Sequence, residues 1–181
     1  MNKPLLIIIS GRPGSGKSTL AHVLSNEIRC PLISRDQIKE GYINTIKKGH
    51  DSTTGTDKLL VYNVFFSLIE TLLDNRITAI AESAFQNKLW LPKYELLSKK
   101  ARLIQIICVI DAKLGNRRFL ERRENDPLRK YFHGDDLITT EDENIEYVPP
   151  DLPVPALQVD TTNGYNPDLP EICSFINNKE T

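Results

Sequence analysis

Charge of one sign is the first thing this 181-residue chain lacks: 23 Lys and Arg stand against 24 Asp and Glu, a net charge of −1. The basic residues are scattered along the chain. Composition therefore gives no argument for wholesale binding to nucleic acid or a membrane surface, although a small basic groove is compatible with it. Cysteine is scarce too, with only Cys30, Cys108 and Cys173. They are odd in number, far apart and set in apolar surroundings, so they form neither a disulfide framework nor a metal-ligand spacing. They read as reduced core thiols of a cytoplasmic protein. A long hydrophobic run is also missing. Leu5 to Ile9 is too short for a membrane helix, is broken by glycines, and lacks the long apolar region and cleavage site of a signal peptide. There is no internal repeat and no low-complexity tract. What remains is a length suited to a single α/β domain over residues 1–181, with a sizeable core.

What the chain does have is Gly11-Arg12-Pro13-Gly14-Ser15-Gly16-Lys17-Ser18, which fits the phosphate-loop pattern G-x-x-x-x-G-K-[ST]. Leu5 to Ile9 before it is too apolar to alternate and reads as a buried parallel strand. Ser18 to Arg29 after it reads as a helix with Leu20, Val23, Leu24 and Ile28 on one stripe. Gly11, Gly14 and Gly16 permit positive φ and put no Cβ between backbone and anion. Successive N–H groups can then curl around phosphate oxygens at a helix N-terminus. Lys17 adds a point charge at the β/γ phosphates of a nucleotide, the Ser18 hydroxyl is a Mg²⁺ ligand, and Thr19 completes the loop.

Further strands are expected at Pro31–Ser34, Ile77–Ala81, Leu103–Ile110 and Ala156–Val159, with helices between them. The polar stretch from Glu40 to Asp57 reads as a short helix followed by a mobile loop. Thr56 is the expected cap of a helix through Asp74, with Leu59, Leu60, Val64, Phe65, Leu68, Leu72 and Leu73 on its apolar face. Lys88 to Ala101 reads as a helix starting near Leu91, because Pro92 suits a first turn. Ala112–Glu124 and Asp168–Asn177 read as further helices. Asn125 to Pro155 is polar and proline-punctuated, and reads as a lid; with the arginines before it, the lid region covers about residues 117–155. Strands alternating with helices argue a parallel sheet covered on both faces, with ligands at the carboxyl ends of the strands.

Asp36, Glu82, Asp111 and Asp160 all fall at such strand ends. Asp36 is placed to take a proton from an acceptor hydroxyl or help hold Mg²⁺; alternatively it caps a short helix, Gln37–Gly41. Glu82 and Asp111 compete for the second acidic position near Mg²⁺. Asp111 follows the longer hydrophobic run but directly precedes a helix and looks like its cap. Glu82 is followed by neither a turn nor a helix start, which favours it. Arg118 and Arg122 are i,i+4 partners, and with Arg129 they are candidates to neutralise charge on a transferring phosphoryl group.

The chain resembles the small P-loop kinases, a group that includes adenylate, shikimate and gluconate kinases, chloramphenicol phosphotransferase and the kinase domain of polynucleotide kinase. The likeness rests on the glycine loop through Thr19, Ser34-Arg35-Asp36, Glu82-Ser83-Ala84-Phe85, and Arg118-Phe119-Leu120-Glu121-Arg122. It implies a five-stranded sheet in the order 2-3-1-4-5, Asp36 as the acceptor-side acid, and the turn Thr161–Gly164, with Thr162, beside adenine. The activity implied is transfer of the ATP γ-phosphoryl group, with Mg²⁺, to a small-molecule hydroxyl. One departure is that Lys130-Tyr131-Phe132 separate Arg129 from His133, where the family often reads Arg-His-Pro-Gly-His. Two other readings stay open: a nucleotide-dependent switch acting through a partner, and a 5′-hydroxyl nucleic-acid kinase.

Overall fold

The computed structural model describes residues 3–133 and 147–178. The β-strands are β1 (Leu5–Gly11), β2 (Leu32–Ser34), β3 (Ala79–Glu82), β4 (Arg102–Val109) and β5 (Ala156–Asp160). The helices are α1 (Lys17–Ile28), α2 (Arg35–Ile46), α3 (Gly55–Asp74), α4 (Asn87–Lys100), α5 (Ala112–Asn125), α6 (Arg129–His133) and α7 (Leu169–Asn177), with a 3-10 turn at His50–Ser52. All strand pairs are parallel and the order is β2-β3-β1-β4-β5, as the family resemblance implies. Part of the expected lid, residues 134–146, lies outside the described residues.

The strands at the centre of the sheet are buried on both sides, which explains why β1 and β4 are apolar without alternation. Ile7, Ile9, Ile104 and Ile106 pack with Leu20, Leu24, Ile172 and Ile176, from α1 and α7, on one face. Leu6, Ile8 and Leu103 pack with Phe65, Phe66, Ile69, Trp90 and Leu97, from α3 and α4, on the other. Three layers result. Cys108 lies in the first core, and burial pushes its thiol pKa up to about 12. Cys30, Cys108 and Cys173 are all free thiols.

Several local expectations need correction. The helix after β2 is not a short one capped by Asp36: α2 begins at Arg35 with Ser34 in the N-cap position and runs to Ile46. Thr54, not Thr56, caps α3, through a reciprocal capping box with Asp57. The helix α4 starts at Asn87, so Pro92 sits inside it, beyond the first turn. The inward face of α3 is Val61, Phe65, Phe66, Ile69 and Leu73, whereas Leu59, Leu60, Val64 and Leu68 are exposed. This helix is apolar on most of its circumference, so periodicity alone did not single out the buried side.

Candidate active site

The carboxyl ends of β1, β2 and β3 meet where the chain leaves β1 for α1. Gly14 and Gly16 take φ of 77° and 74°, the left-handed region that glycine enters without strain. The turn is closed by Ser15 N donating to Arg12 O at 3.1 Å. Three contacts buttress it from outside. A Cβ on Gly14 would stand 2.0 Å from the Gly115 carbonyl oxygen, so the loop lies directly on the α5 backbone. The Thr161 hydroxyl donates to Ser15 O at 2.8 Å, and Gly11 N donates to the Tyr147 hydroxyl at 3.1 Å. Pro13 and Thr19 are exposed, Arg12 is half-buried, and Lys17 is buried.

β3 delivers Glu82 beside this loop. The register Ile9↔Glu82 and Ser34↔Glu82 sets the acid between the ends of β1 and β2. Its side chain is 1% exposed, and its Oε1 lies 3.9 Å from Lys17 Nζ. Ser18 Oγ donates to Oε1 at 3.1 Å, and Ser34 Oγ donates to Oε2 at 2.7 Å. Asp111 is elsewhere: its Oδ1 accepts from Lys113 N at 3.0 Å and Leu114 N at 3.1 Å, as the cap of α5. Of the two competing acids, only Glu82 joins Lys17 and Ser18.

Asp36 occupies the first turn of α2, with its side chain 43% exposed and its Oδ1 accepting from Arg35 Nη1 at 2.9 Å. Partial burial works to raise its pKa. The Arg35 charge and hydrogen bond, then Lys17 and His133, outweigh that and hold the carboxyl below its usual range. The Arg35 guanidinium also lies over the Phe85 ring, 5.9 Å from its centroid.

The arginines part company. Arg118 donates to Thr161 O at 2.9 Å and to Thr162 O at 2.8 Å, and so ties α5 to the turn after β5. Arg122 and Arg129 lie over the Phe119 ring at 5.8 and 5.3 Å. His133 Nε2 contacts Glu40 Oε1 at 2.7 Å, which joins α6 to α2. Sequence reasoning missed Ser34, Gly115, Tyr147 and the hydroxyl of Thr161. A signal existed for two of them: Ser34 stood inside the Ser-Arg-Asp segment, and Gly115 is a glycine interrupting a helix.

A glycine loop between a buried β1 and α1, in a parallel sheet of this order, defines a P-loop nucleotide-binding fold of the small-kinase type. A family model described as an AAA domain matches residues 6–135, and the chain belongs to that family. A presumed kinase from Chloroflexus aurantiacus J-10-fl is 27% identical, with a TM-score of 0.80, 97% of this chain covered and 96% of that one. The APS kinase CysC of Mycobacterium tuberculosis, solved with AMPPNP and APS, is 14% identical at a TM-score of 0.65, covering 98% and 100%. A gluconokinase from Sinorhizobium meliloti 1021 is 15% identical at a TM-score of 0.61, covering 97% and 93%. These last two show the likeness of fold. No curated protein matches the chain significantly by sequence. Among the described residues no helix is long and apolar enough to cross a membrane.

Proposed function

We propose that the protein is an ATP- and Mg²⁺-dependent phosphotransferase that moves the γ-phosphoryl group to a hydroxyl of a small molecule. The observation that carries this reading is the meeting of Lys17, Ser18 and Glu82 beside the glycine loop, with Asp36 two residues past the end of the neighbouring strand β2. The loop Gly11–Ser18 would hold the β/γ phosphates through its backbone N–H groups and Lys17. Thr162 lies in the turn that the family resemblance puts beside adenine, and Arg118, which donates to its carbonyl, would border the base with it.

The residues present fit a hard divalent cation. Ser18 and Glu82 offer a hydroxyl and a carboxylate, and their 3.1 Å contact brings both oxygens to one point. Mg²⁺ takes few protein oxygens, and nucleotide phosphates and water complete its shell. When bound it would offset negative charge on the β and γ oxygens.

Asp36 would orient the acceptor hydroxyl and receive its proton as the oxygen bonds to the γ-phosphorus and the bond to the ADP oxygen breaks. Its depressed pKa keeps it ionised at neutral pH. In a loose transition state, positioning matters more than basicity. Lys17 would neutralise transferring charge. Arg118, bonded to two carbonyls, is assigned to the base side, which leaves Arg122 and Arg129, over Phe119, as the arginines that would offset phosphate charge.

The test is an ADP-release screen against sugars, nucleosides, antibiotics and oligonucleotides. Lys17→Ala is expected to abolish turnover, and Asp36→Asn to keep ATP binding while losing transfer. Full transfer by Asp36→Asn would remove the base assignment. Acceptor-independent ATP consumption across the whole screen would favour a nucleotide switch instead.

A further inference from the structure

Ser34 holds two posts at once. It is the last residue of β2 and the N-cap position of α2, yet its side chain makes no capping bond. A serine there ordinarily accepts from a first-turn N–H, and its replacement by alanine weakens the helix start. Here the hydroxyl turns the other way and donates to Glu82 Oε2 at 2.7 Å. Both residues are buried, Ser34 at 7% and Glu82 at 1% exposed. The parallel register Ser34↔Glu82 makes this a neighbouring-strand contact, so backbone pairing fixes the distance. The other oxygen of the carboxylate faces Ser18 Oγ and Lys17 Nζ.

We propose that Ser34 is a positioning residue: its hydroxyl pins one oxygen of Glu82 so that the other is presented to Ser18 and Lys17, where a Mg²⁺–nucleotide complex would bind. This rests on the reading that Glu82 serves the cation. A carboxylate held at both oxygens has one orientation, whereas one held at a single oxygen can turn about its last torsion, which is broad. Partners of this outer kind typically carry a 10–100-fold share of metal affinity. The same residue opens α2, one step before Arg35 and two before Asp36. The acid at the phosphate and the acid on the acceptor side are therefore set by a single β2 terminus.

The experiment is a Mg²⁺ titration of the binding of a fluorescent ATP analogue to the full chain, with no turnover required. Ser34→Ala and Ser34→Gly are each expected to raise the Mg²⁺ midpoint by roughly 10–100-fold, with Ser34→Thr restoring it. Glycine is the informative substitution, because as an N-cap it serves almost as well as serine. A capping role would leave Ser34→Gly close to wild type. In a Glu82→Gln background, adding Ser34→Ala should bring no further shift. An unmoved midpoint in Ser34→Gly, or an undiminished shift in the Glu82→Gln background, overturns the proposal. If Glu82→Gln alone leaves the Mg²⁺ midpoint unmoved, the cation reading of Glu82 fails, and Ser34's role toward it falls too. Thermal melts of each variant identify any that fail to fold, and the Thr variant keeps the comparison available.

Discussion

Replacing Gly14 by alanine should damage the fold far more than the same change at Gly16, although both lie in one loop with nearly equal φ, 77° and 74°. Each substitution forces an L-residue into the left-handed region, at about 1–2 kcal/mol. The added methyl meets different surroundings. At Gly16 the nearest atom is Thr161 Cβ at 3.9 Å, an ordinary contact. At Gly14 it would stand 2.0 Å from the Gly115 carbonyl oxygen, which is helix backbone and cannot rotate away. Forced overpacking adds about 1–3 kcal/mol. Gly14→Ala should therefore cost about 2–5 kcal/mol, against about 1–2 for Gly16→Ala. Gly115→Ala approaches the same contact from the helix side with the opposite expectation. Its methyl would meet Ile110 Cγ2 at 3.2 Å, a contact that a shift of a few tenths of an ångström relieves, and everything else at 3.5 Å or more. Alanine is also favoured over glycine inside a helix by about 0.8–1 kcal/mol. That variant should stay within about 1 kcal/mol of wild type. Urea unfolding without nucleotide reads all three, and at this chain length 1 kcal/mol corresponds to about 2–4 °C in Tm. Equal destabilisation by Gly14→Ala and Gly16→Ala would refute the claim that the loop rests on α5.

Other expectations follow from separate contacts. Arg118→Ala removes two charge-assisted bonds to the turn after β5 and should cost about 1.5–3 kcal/mol in the same urea assay. Arg118→Lys should recover less than half of that, because a point charge cannot bridge two carbonyls as a planar guanidinium does. Asp57 gives a pH signature. The Tyr42 hydroxyl, then the Thr54 backbone N–H and hydroxyl, lower its pKa from 3.8 to about 2. A depressed carboxylate contributes stability that is fully present above its unfolded pKa and is lost as pH falls through the folded one. Wild type should therefore lose part of its stability between about pH 4 and pH 2. Tyr42→Phe should lose less over that interval, and denaturation at stepped pH measures the difference.

What the sequence disclosed depended on how local the signal was. The glycine loop was legible because eight consecutive residues carry its pattern, and strand–loop–helix context surrounds them. Glu82 was chosen over Asp111 on local grounds as well, since a carboxylate just ahead of a helix is usually its cap. The start of α3 was misplaced by two residues because three threonines crowd Thr53–Thr56, and only the spacing to Asp57 separates them. The inward side of α3 was misassigned because Leu59, Leu60, Val64 and Leu68 are as apolar as the residues buried beneath them. The contacts that complete the site were harder still. Ser34 with Glu82, Gly14 with Gly115, and Thr161 with Ser15 are separated by 48 to more than 100 positions, and each is created by sheet register or helix docking. No pattern along the chain encodes such pairs.

The joints around α5 bear on how occupancy would be controlled. Its backbone carries the glycine loop at Gly115, and its Arg118 grips the two carbonyls after β5. Thr161 then ties that turn back to the loop itself. Glycine loop, α5 and the turn after β5 thus form one welded frame. A donor of matching length would find the frame already assembled, and little chain freedom would be lost when it docks. On the proposed reading, the entropy of productive assembly would then be charged mainly to the arrival of the acceptor, and acceptor concentration would govern how often the enzyme is poised to react.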